Sequence, residues 1–404
     1  MPSFEEARST ILDAVRPLGA EVVSLLDATG RVLAEDVAAT RDLPAWDNSA
    51  MDGYAVRSES AWAAGGLAVS AYIPAGSPGA EPLEPGTAAR ILTGAPLPAG
   101  ADAVVPFEQV EERDGRVILR AQVRAGANVR RQGEDIRAGE RAVAAGTVVG
   151  AAEVSFFAAS SRLSVPVFRR PRVAILSTGD ELVEAGAPLA PGKIHDSNGP
   201  AVAAAVKEVG AEPILLGIAR DTPESLRRKL GEGLRADALV TSAGVSKGDR
   251  DLVREVLAEL GVSQLFWNVD VKPGRPMAFG LRDGAPVFSL PGNPVSTLLT
   301  FEEFVRPALL KMMGHRRVLR PLVPAVLQDA LRKKAGRVSL ARVRLERSDG
   351  ALRAWSAGDQ ETGMLRTTLR ADGIAVLPAE WGDVRPGTTI DVQVCGGGFE
   401  VRAA

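Results

Sequence analysis

At 404 residues the chain exceeds what one hydrophobic core usually supports, so two to four domains are expected. Hydrophobic residues make up 46% and charged residues 24%, and a net charge of −2 excludes any general attraction to nucleic acid or an anionic membrane. The start, MPSFEEARST, carries no basic or apolar leader segment, and no apolar run approaches the roughly 20 residues that cross a bilayer, so a cytoplasmic protein is expected.

Residues 3–17 place Phe4, Ala7, Ile11, Leu12 and Val15 on one stripe, which predicts a helix. From about 20 to 140, short apolar runs broken by Gly and Pro, as in LTGAPLPAGADAVVPFEQV, predict small β-structure. The region 171–315 is the most legible. RVAILSTG (172–179), PILLGIARD (213–221) and ADALVTSAG (236–244) read as strands, with FWNVDVKPG and PVFSLPGNP as further ones. Helices are predicted over 198–212, with Asn198 as cap, over TPESLRRKLGEGL, over 249–261, and over about 294–313. This alternation argues for βαβ units in a central, doubly wound, mostly parallel α/β domain, with ligands beyond the carboxyl ends of its strands. Residues 320–404 carry VPAVLQ, SLARVRLER, GIAVLPAE and TTIDVQVC, the look of a small antiparallel β-barrel.

Five segments fall at those strand ends. In TSAGVSKGDRD (241–251), Gly244, Ser246, Lys247 and Gly248 suit a loop that wraps an anion. The spacing is not that of a Walker loop, and the plain alternative is a tight turn with Asp249 as cap and Asp251 stabilising the helix dipole. STGDEL (177–182) and ARD (219–221) add Asp180, Glu181 and Asp221. Acids converging on a phosphate loop repel it unless a cation intervenes. Two histidines and one cysteine, Cys395, disfavour a zinc or redox-metal site, so Mg²⁺ is the expected ion. VKPGRP (271–276) offers Lys272 and Arg275 as a stiff cationic claw or a solvated turn. LPGNPVS (290–296) is a helix start that could also hold an anion. In the N-terminal part, Asp52-Gly53 reads as a hairpin turn and RRQGEDIRAGE (130–140) as a charged surface turn. His195 adjoins Asp196 without a nucleophile motif, which argues against a hydrolase triad.

In this order, NSAMDGYAV (48–56), TGAPLPAGADAVVPFE (93–108), RRQGEDI (130–136), STGDEL, SAGVSKGDRD, VKPGRPMAFG (271–280) and LPGNPVST resemble the molybdopterin molybdenumtransferases, the MoeA type shared with the E domain of gephyrin. The resemblance spans nearly the whole chain. It implies a Mg²⁺-dependent enzyme that takes adenylylated molybdopterin and molybdate, leaves molybdenum on the dithiolene and releases AMP. It also implies an elongated homodimer of four-domain subunits, with a molybdopterin adenylyltransferase as upstream partner and no nucleic acid or membrane partner. The domains would be 1–25 with 138–170 (an elongated helix/β linker), 26–137 (small β), 171–318 (α/β, molybdopterin-binding) and 319–404 (β-barrel).

The family's functional acids fall on Asp52, Asp135, Glu181, Asp221 and Asp251, and its polar cleft residues on Thr93 and Lys272. Arg342 in GRVSLAR and Thr362 in DQETG match an arginine and a serine of its C-terminal domain. The roles implied are metal binding for Glu181, Asp221 and Asp251. The pterin phosphate would lie on the 244–248 loop with Pro291, Gly292, Asn293 and Ser296. Molybdate would lie by Lys272, Arg275, Arg342 and Thr362. Two departures stand out: Asn268 replaces a frequent lysine, and Ser242-Ala243-Gly244 replaces S-G-G. A scaffolding protein, an adenylyltransferase and a tungstate-handling paralogue are the rival readings.

Overall fold

A computed structural model describes residues 1–62, 65–243, 252–348 and 350–395. The chain divides into two compact units, Met1–Glu21 with Phe168–Ala404, and Val22–Val167.

In the first unit, a six-stranded sheet runs in the order Glu212–Ala219, Arg172–Thr178, Ala238–Ser242, Ala285–Leu290, Ala278–Arg282, Ser263–Trp267. The first four strands are parallel, and the last two add antiparallel. The three inner parallel strands are almost wholly buried because both faces are covered, whereas the edge strand Glu212–Ala219 leaves Leu215 exposed. Val173, Ile175 and Val240 pack on the face that receives the helix Asn198–Val209 through Val202, Ala203 and Val206. Ala174, Leu176 and Leu239 pack on the other, against the helices Pro223–Gly233 and Leu252–Glu259. The doubly wound, mostly parallel reading is therefore borne out.

Two sequence expectations change here. FWNVDVKPG is not one strand. Asn268 turns the chain at φ +65°, after which Val271–Lys272 leaves this sheet and pairs in parallel with Val338 and Ser339 of the barrel. AFGLR, not predicted, forms a hairpin with Ala285–Leu290 through Asp283-Gly284, both at positive φ as a tight primed turn requires. The helix predicted near 294–313 forms as Pro294–Thr300, a π turn over Phe301–Val305 and Arg306–Met312. Pro307 has no N–H to offer the Glu303 carbonyl, and the Arg306 N–H reaches back five residues to Phe301.

The strands Val338–Ser348, Ala351–Ser356, Leu322–Leu327, Thr389–Val394 and Gly373–Leu377 follow one another and close, as Gly373–Leu377 pairs back onto Val338–Ser348. This is the expected barrel, filled by Leu327, Val343, Ala354, Ala375 and Val392, but it is not wholly antiparallel, since Leu322–Leu327 pairs in parallel with Ala351–Ser356. Its Val338, Leu340 and Ile374 also enter the core beneath the α/β sheet, as do Phe4, Ala7 and Ile11 of the helix Phe4–Ala14. That helix opens on a capping box, with Ser3 Oγ accepting from Glu6 N–H at 3.1 Å and Glu6 accepting from Ser3 N–H at 2.8 Å.

The second unit holds another six-stranded sheet, in the order Ala103–Pro106, Gly53–Val56, Thr87–Ile91, Leu67–Ile73, Arg116–Leu119, Val110–Arg113. A separate cluster gathers Leu33, Val37, Val149, Val165 and Val167 around Phe157 of the helix Ala151–Ala159. Asp52-Gly53 is not a hairpin turn. Gly53 begins a strand whose neighbours are Thr87–Ile91 and Ala103–Pro106, while Asn48–Ser49 pairs elsewhere, with Val129–Arg130. A Cβ on Gly53 would sit 2.1 Å from the Val105 carbonyl oxygen, so close packing against the neighbouring strand selects the glycine.

One buried acid ties several elements of the first unit together. Glu303, 2% exposed, lies 3.5 Å from Arg8 of the first helix and accepts from Gln393 of the barrel at 3.3 Å. Burial pushes its carboxyl up to about 7, outweighing Arg8 and Gln393, which act the other way. The fold favours the protonated form. Its contribution is therefore fully present below the usual Glu range and is lost as pH rises through about 7. Thermal melts of Glu303→Gln should show a Tm a few degrees above wild type at pH 8 and a shallower decline between pH 5 and 8. A parent-like pH profile in the variant would count against the buried acid as its source.

Candidate functional site

The carboxyl ends of the sheet in the first unit build a cationic cavity. The turn Pro291-Gly292-Asn293 leaves the strand Ala285–Leu290 and starts the helix at Pro294. Asn293 occupies the cap position, yet its side chain makes no capping bond; its Nδ2 donates to Thr362 Oγ1 at 2.8 Å, and Val295 N–H reaches the Thr362 carbonyl at 3.3 Å. Thr297 Oγ1 holds the turn from below through the carbonyls of Pro291 (2.6 Å) and Asn293 (3.0 Å).

Lys272 projects from the short strand that joins the barrel, followed by Gly274 at φ +113°. A Cβ there would stand 2.4 Å from Thr300 Cγ2, so only glycine lets this turn press onto the helix. Lys272, Arg275 and Arg337 supply cations to a cavity of about 420 Å³, whose wall also includes Pro291, Gly292, Asn293, Ser296 and Thr362. No carboxylate is among the described residues lining it.

The structure thus brings together Lys272, Arg275, Pro291, Gly292, Asn293, Ser296 and Thr362. Arg342 does not join them at the surface. It is 1% exposed, donating through Nε to Thr367 Oγ1 (2.7 Å) and through one terminal nitrogen to the carbonyls of Asp359 (2.9 Å) and Glu361 (3.3 Å). Its other terminal nitrogen is buried without a hydrogen-bond partner. Burial lowers its pKa, opposed by Asp359 and Glu361. Arg342 therefore supports the loop that carries Thr362.

Glu181 and Asp221 stand exposed at neighbouring strand ends, where Thr178 pairs with Ala219. Asp180 and Asp221 exchange backbone-to-carboxylate hydrogen bonds at 3.4 and 3.3 Å, which holds two like charges side by side. Gly244, Ser246, Lys247, Gly248 and Asp251 lie outside the described residues. Among the described residues no group of three His, Cys, Asp or Glu side chains converges as a metal site. His195 bonds the Ala187 carbonyl at 2.9 Å, and Asp196 accepts the N–H groups of Asn198 and Gly199 at 3.0 Å each.

In the second unit, Asp52 Oδ1 accepts from both the N–H and the hydroxyl of Thr93 at 2.7 Å, and these two bonds lower its pKa. Asp135 sits on the turn after Val129–Arg130, its N–H bonded to the Leu43 carbonyl at 3.0 Å. Two further acids lace that turn to residues 42–48. Asp47 accepts from Gln132 N–H (2.8 Å) and Arg131 (2.6 Å), and Asp42 from Ala138 N–H (2.8 Å) and Gln132 (2.7 Å). Hydrogen bonding from the Gln132 backbone chiefly lowers the Asp47 pKa, and from the Ala138 backbone that of Asp42. RRQGEDI is thus a braced turn.

Three family models match in chain order: the MoeA N-terminal region (domain I and II) over residues 2–161, a probable molybdopterin binding domain over 174–311, and the MoeA C-terminal region (domain IV) over 324–395. A molybdopterin molybdenumtransferase of Nostoc sp. is 40% identical, covering 94% of this chain and 90% of its own. The chain belongs to the molybdopterin molybdenumtransferase family. Molybdopterin molybdenumtransferase 2 of Mycobacterium tuberculosis is 37% identical over 97% of this chain and 99% of its own. The crystal structure of a molybdopterin biosynthesis moea protein from Pyrococcus horikosii superposes with a TM-score of 0.85 at 32% identity, covering 98% of this chain and 99% of that one.

Asn198, Arg337, Asp42 and Asp47 were not singled out as site residues by sequence. By sequence Asn198 reads as a helix cap. Its Nδ2 instead donates to Ser242 Oγ and to the Gly292 carbonyl, both at 2.7 Å, tying the end of the central strand to the Pro291-Gly292-Asn293 turn. Its signal was position, one residue into a helix at a strand-end crevice. Asn198→Ala should lower kcat/KM about tenfold, with a Tm loss worth about 1–2 kcal/mol for the two acceptors left bare. Steady-state kinetics and melts check this. Parental kinetics would rule out the tie as a determinant of the site.

Proposed function

We propose that this enzyme inserts molybdenum from molybdate into adenylylated molybdopterin, releasing AMP, in molybdenum cofactor biosynthesis. The observation that supports this reading most is the cavity itself: three cations and no carboxylate among its described lining residues, at the carboxyl ends of a parallel sheet. Such a lining suits a phosphate or a tetrahedral oxyanion.

The acids complement it from outside. Glu181 and Asp221, with Asp251 as the further candidate, are hard oxygen donors that fit Mg²⁺. A bound Mg²⁺ would neutralise charge that develops on the adenylate as its phosphoanhydride is cleaved. The chain's own residues orient the substrates. Lys272 and Arg275 draw in the oxyanions, Arg337 adds a third positive charge, and the 291–296 turn aligns the pterin phosphate. Thr362, fixed by Asn293, presents a hydroxyl at the same wall. Asp52, held by Thr93, and Asp135 are the acids of the second unit assigned to the same reaction. The enzyme is further proposed to work as a cytoplasmic homodimer supplied by a molybdopterin adenylyltransferase. Among the described residues no helix is long and apolar enough to cross a membrane.

Two variants separate these roles. Lys272→Ala should raise the KM for molybdate about tenfold or more with Mg²⁺ dependence unchanged. Glu181→Gln with Asp221→Asn should leave that KM near parental and raise the Mg²⁺ concentration needed for half-maximal AMP release. Molybdenum incorporation and AMP release are the readouts. Parental Mg²⁺ dependence in the double variant would remove the two acids from the metal site.

A further inference from the structure

Asp270 brings a carboxylate close to the cationic cavity without lining it. It is half-buried and stands two residues before Lys272. Its backbone is held on one side by the start of the chain, where its N–H donates to the Pro2 carbonyl at 3.0 Å and Ser3 bridges it in parallel. On the other side the next residue, Val271, pairs with Val338 of the barrel. Alternation along this extended segment turns Val271 into the core and leaves Asp270 and Lys272 on the opposite side. Val338 is buried in the same way, so Arg337 becomes the cross-strand neighbour of Asp270.

Arg337 is held at both ends. The ammonium of Lys333, itself only 8% exposed, donates to the Arg337 carbonyl at 2.9 Å. The preceding Gly336 turns the chain at φ +109°, with its N–H on the Ala379 carbonyl at 2.7 Å. At the far end, an Asp270 carboxylate oxygen lies 3.7 Å from Arg337 Nε, the one charged partner of that guanidinium among the described residues. Contact at Nε leaves the two terminal nitrogens for a ligand. That fork matches two oxygens of a phosphate or of another tetrahedral oxyanion.

The pair is too open to matter much for folding. Its side chains are 38% and 31% exposed, and such an ion pair adds little stability. It restricts the arginine instead. A free guanidinium gives up rotamers when it binds an anion, whereas one already held by Nε gives up fewer. The field of Asp270 acts in the opposite sense, because a negative charge beside cations weakens their pull on an anion. Solvent screens that field more over the longer path to a bound anion than over the 3.7 Å contact itself, so orientation outweighs it.

We propose that Asp270 is a positioning residue for oxyanion binding: its carboxylate holds Arg337 by Nε and leaves the guanidinium fork set toward the cationic cavity. This rests on the reading of that cavity as an oxyanion site.

The two effects differ in sign, and the test uses that difference. Inorganic molybdate and inorganic phosphate are titrated calorimetrically into the full-length parent, Asp270→Asn, Asp270→Glu, Arg337→Ala and the Asp270→Asn/Arg337→Ala double variant. Asp270→Asn should weaken anion binding about fivefold although it removes a negative charge, and Asp270→Glu, which keeps the charge on a longer arm, should recover most of the loss. With Arg337→Ala already in place, Asp270→Asn should cause no further loss. The Tm of Asp270→Asn should stay within about 2 °C of the parent, and its KM for molybdate should rise with kcat near parental. Parental or tighter anion binding by Asp270→Asn overturns the proposal, as does an equal loss in the Arg337→Ala background. The expected pattern in a protein whose parent transfers no molybdenum supports the positioning role and refutes the proposed reaction. Transfer by Asp270→Asn at parental KM refutes the positioning role alone. A parent that binds neither anion refutes the positioning role and the oxyanion reading together.

Discussion

Two residues of strand tie the cationic cavity of the first unit to the barrel. Val271 and Lys272 follow the α/β sheet in sequence, yet they pair with Val338 and Ser339 of the barrel. Backbone hydrogen bonds therefore set the Lys272 ammonium relative to the barrel wall, while Gly274, pressed on Thr300, sets it relative to the helix behind. The shared core of Val338, Leu340 and Ile374 with Val271, Met277 and Phe301 makes this junction a hydrophobic seam. Lys272 consequently lines both the cationic cavity and a second chamber walled by Leu340 and Leu377 of the barrel.

Much of this was legible from residue order. Apolar runs such as RVAILST announce a doubly covered strand, and the flanking helices follow from their periodicity and caps. The barrel was legible from four of its five strands. The failures share a cause, which is that local patterns do not report partners. FWNVDVKPG reads as one strand because nothing local says that Asn268 turns the chain or that Val271 pairs with a segment some 70 residues later. Asp52-Gly53 has the composition of a hairpin, yet Gly53 is selected by the nearness of Val105.

The site shows the same division. Lys272, Asn293 and Thr362 were identified through family motifs, and the fold brings them to one wall. Arg342 reads as a ligand-facing cation, but it is buried, with its Nε on Thr367 and one terminal nitrogen on two carbonyls. Charge is visible in a sequence, and burial of that charge is not. Asn198 illustrates the converse, since a residue that looks like an ordinary cap spends its amide on two separate segments.

Ala243 and Gly292 carry a consequence for how such chains vary. Ala243 sits at φ +72° on the wall of the cationic cavity. A Cβ added to Gly292 would stand 3.2 Å from its methyl group. Methyl groups at both positions would crowd each other by a few tenths of an ångström, whereas glycine at 243 would leave room for alanine at 292. The two positions are thus coupled, so the cost of a change at 292 depends on the residue at 243.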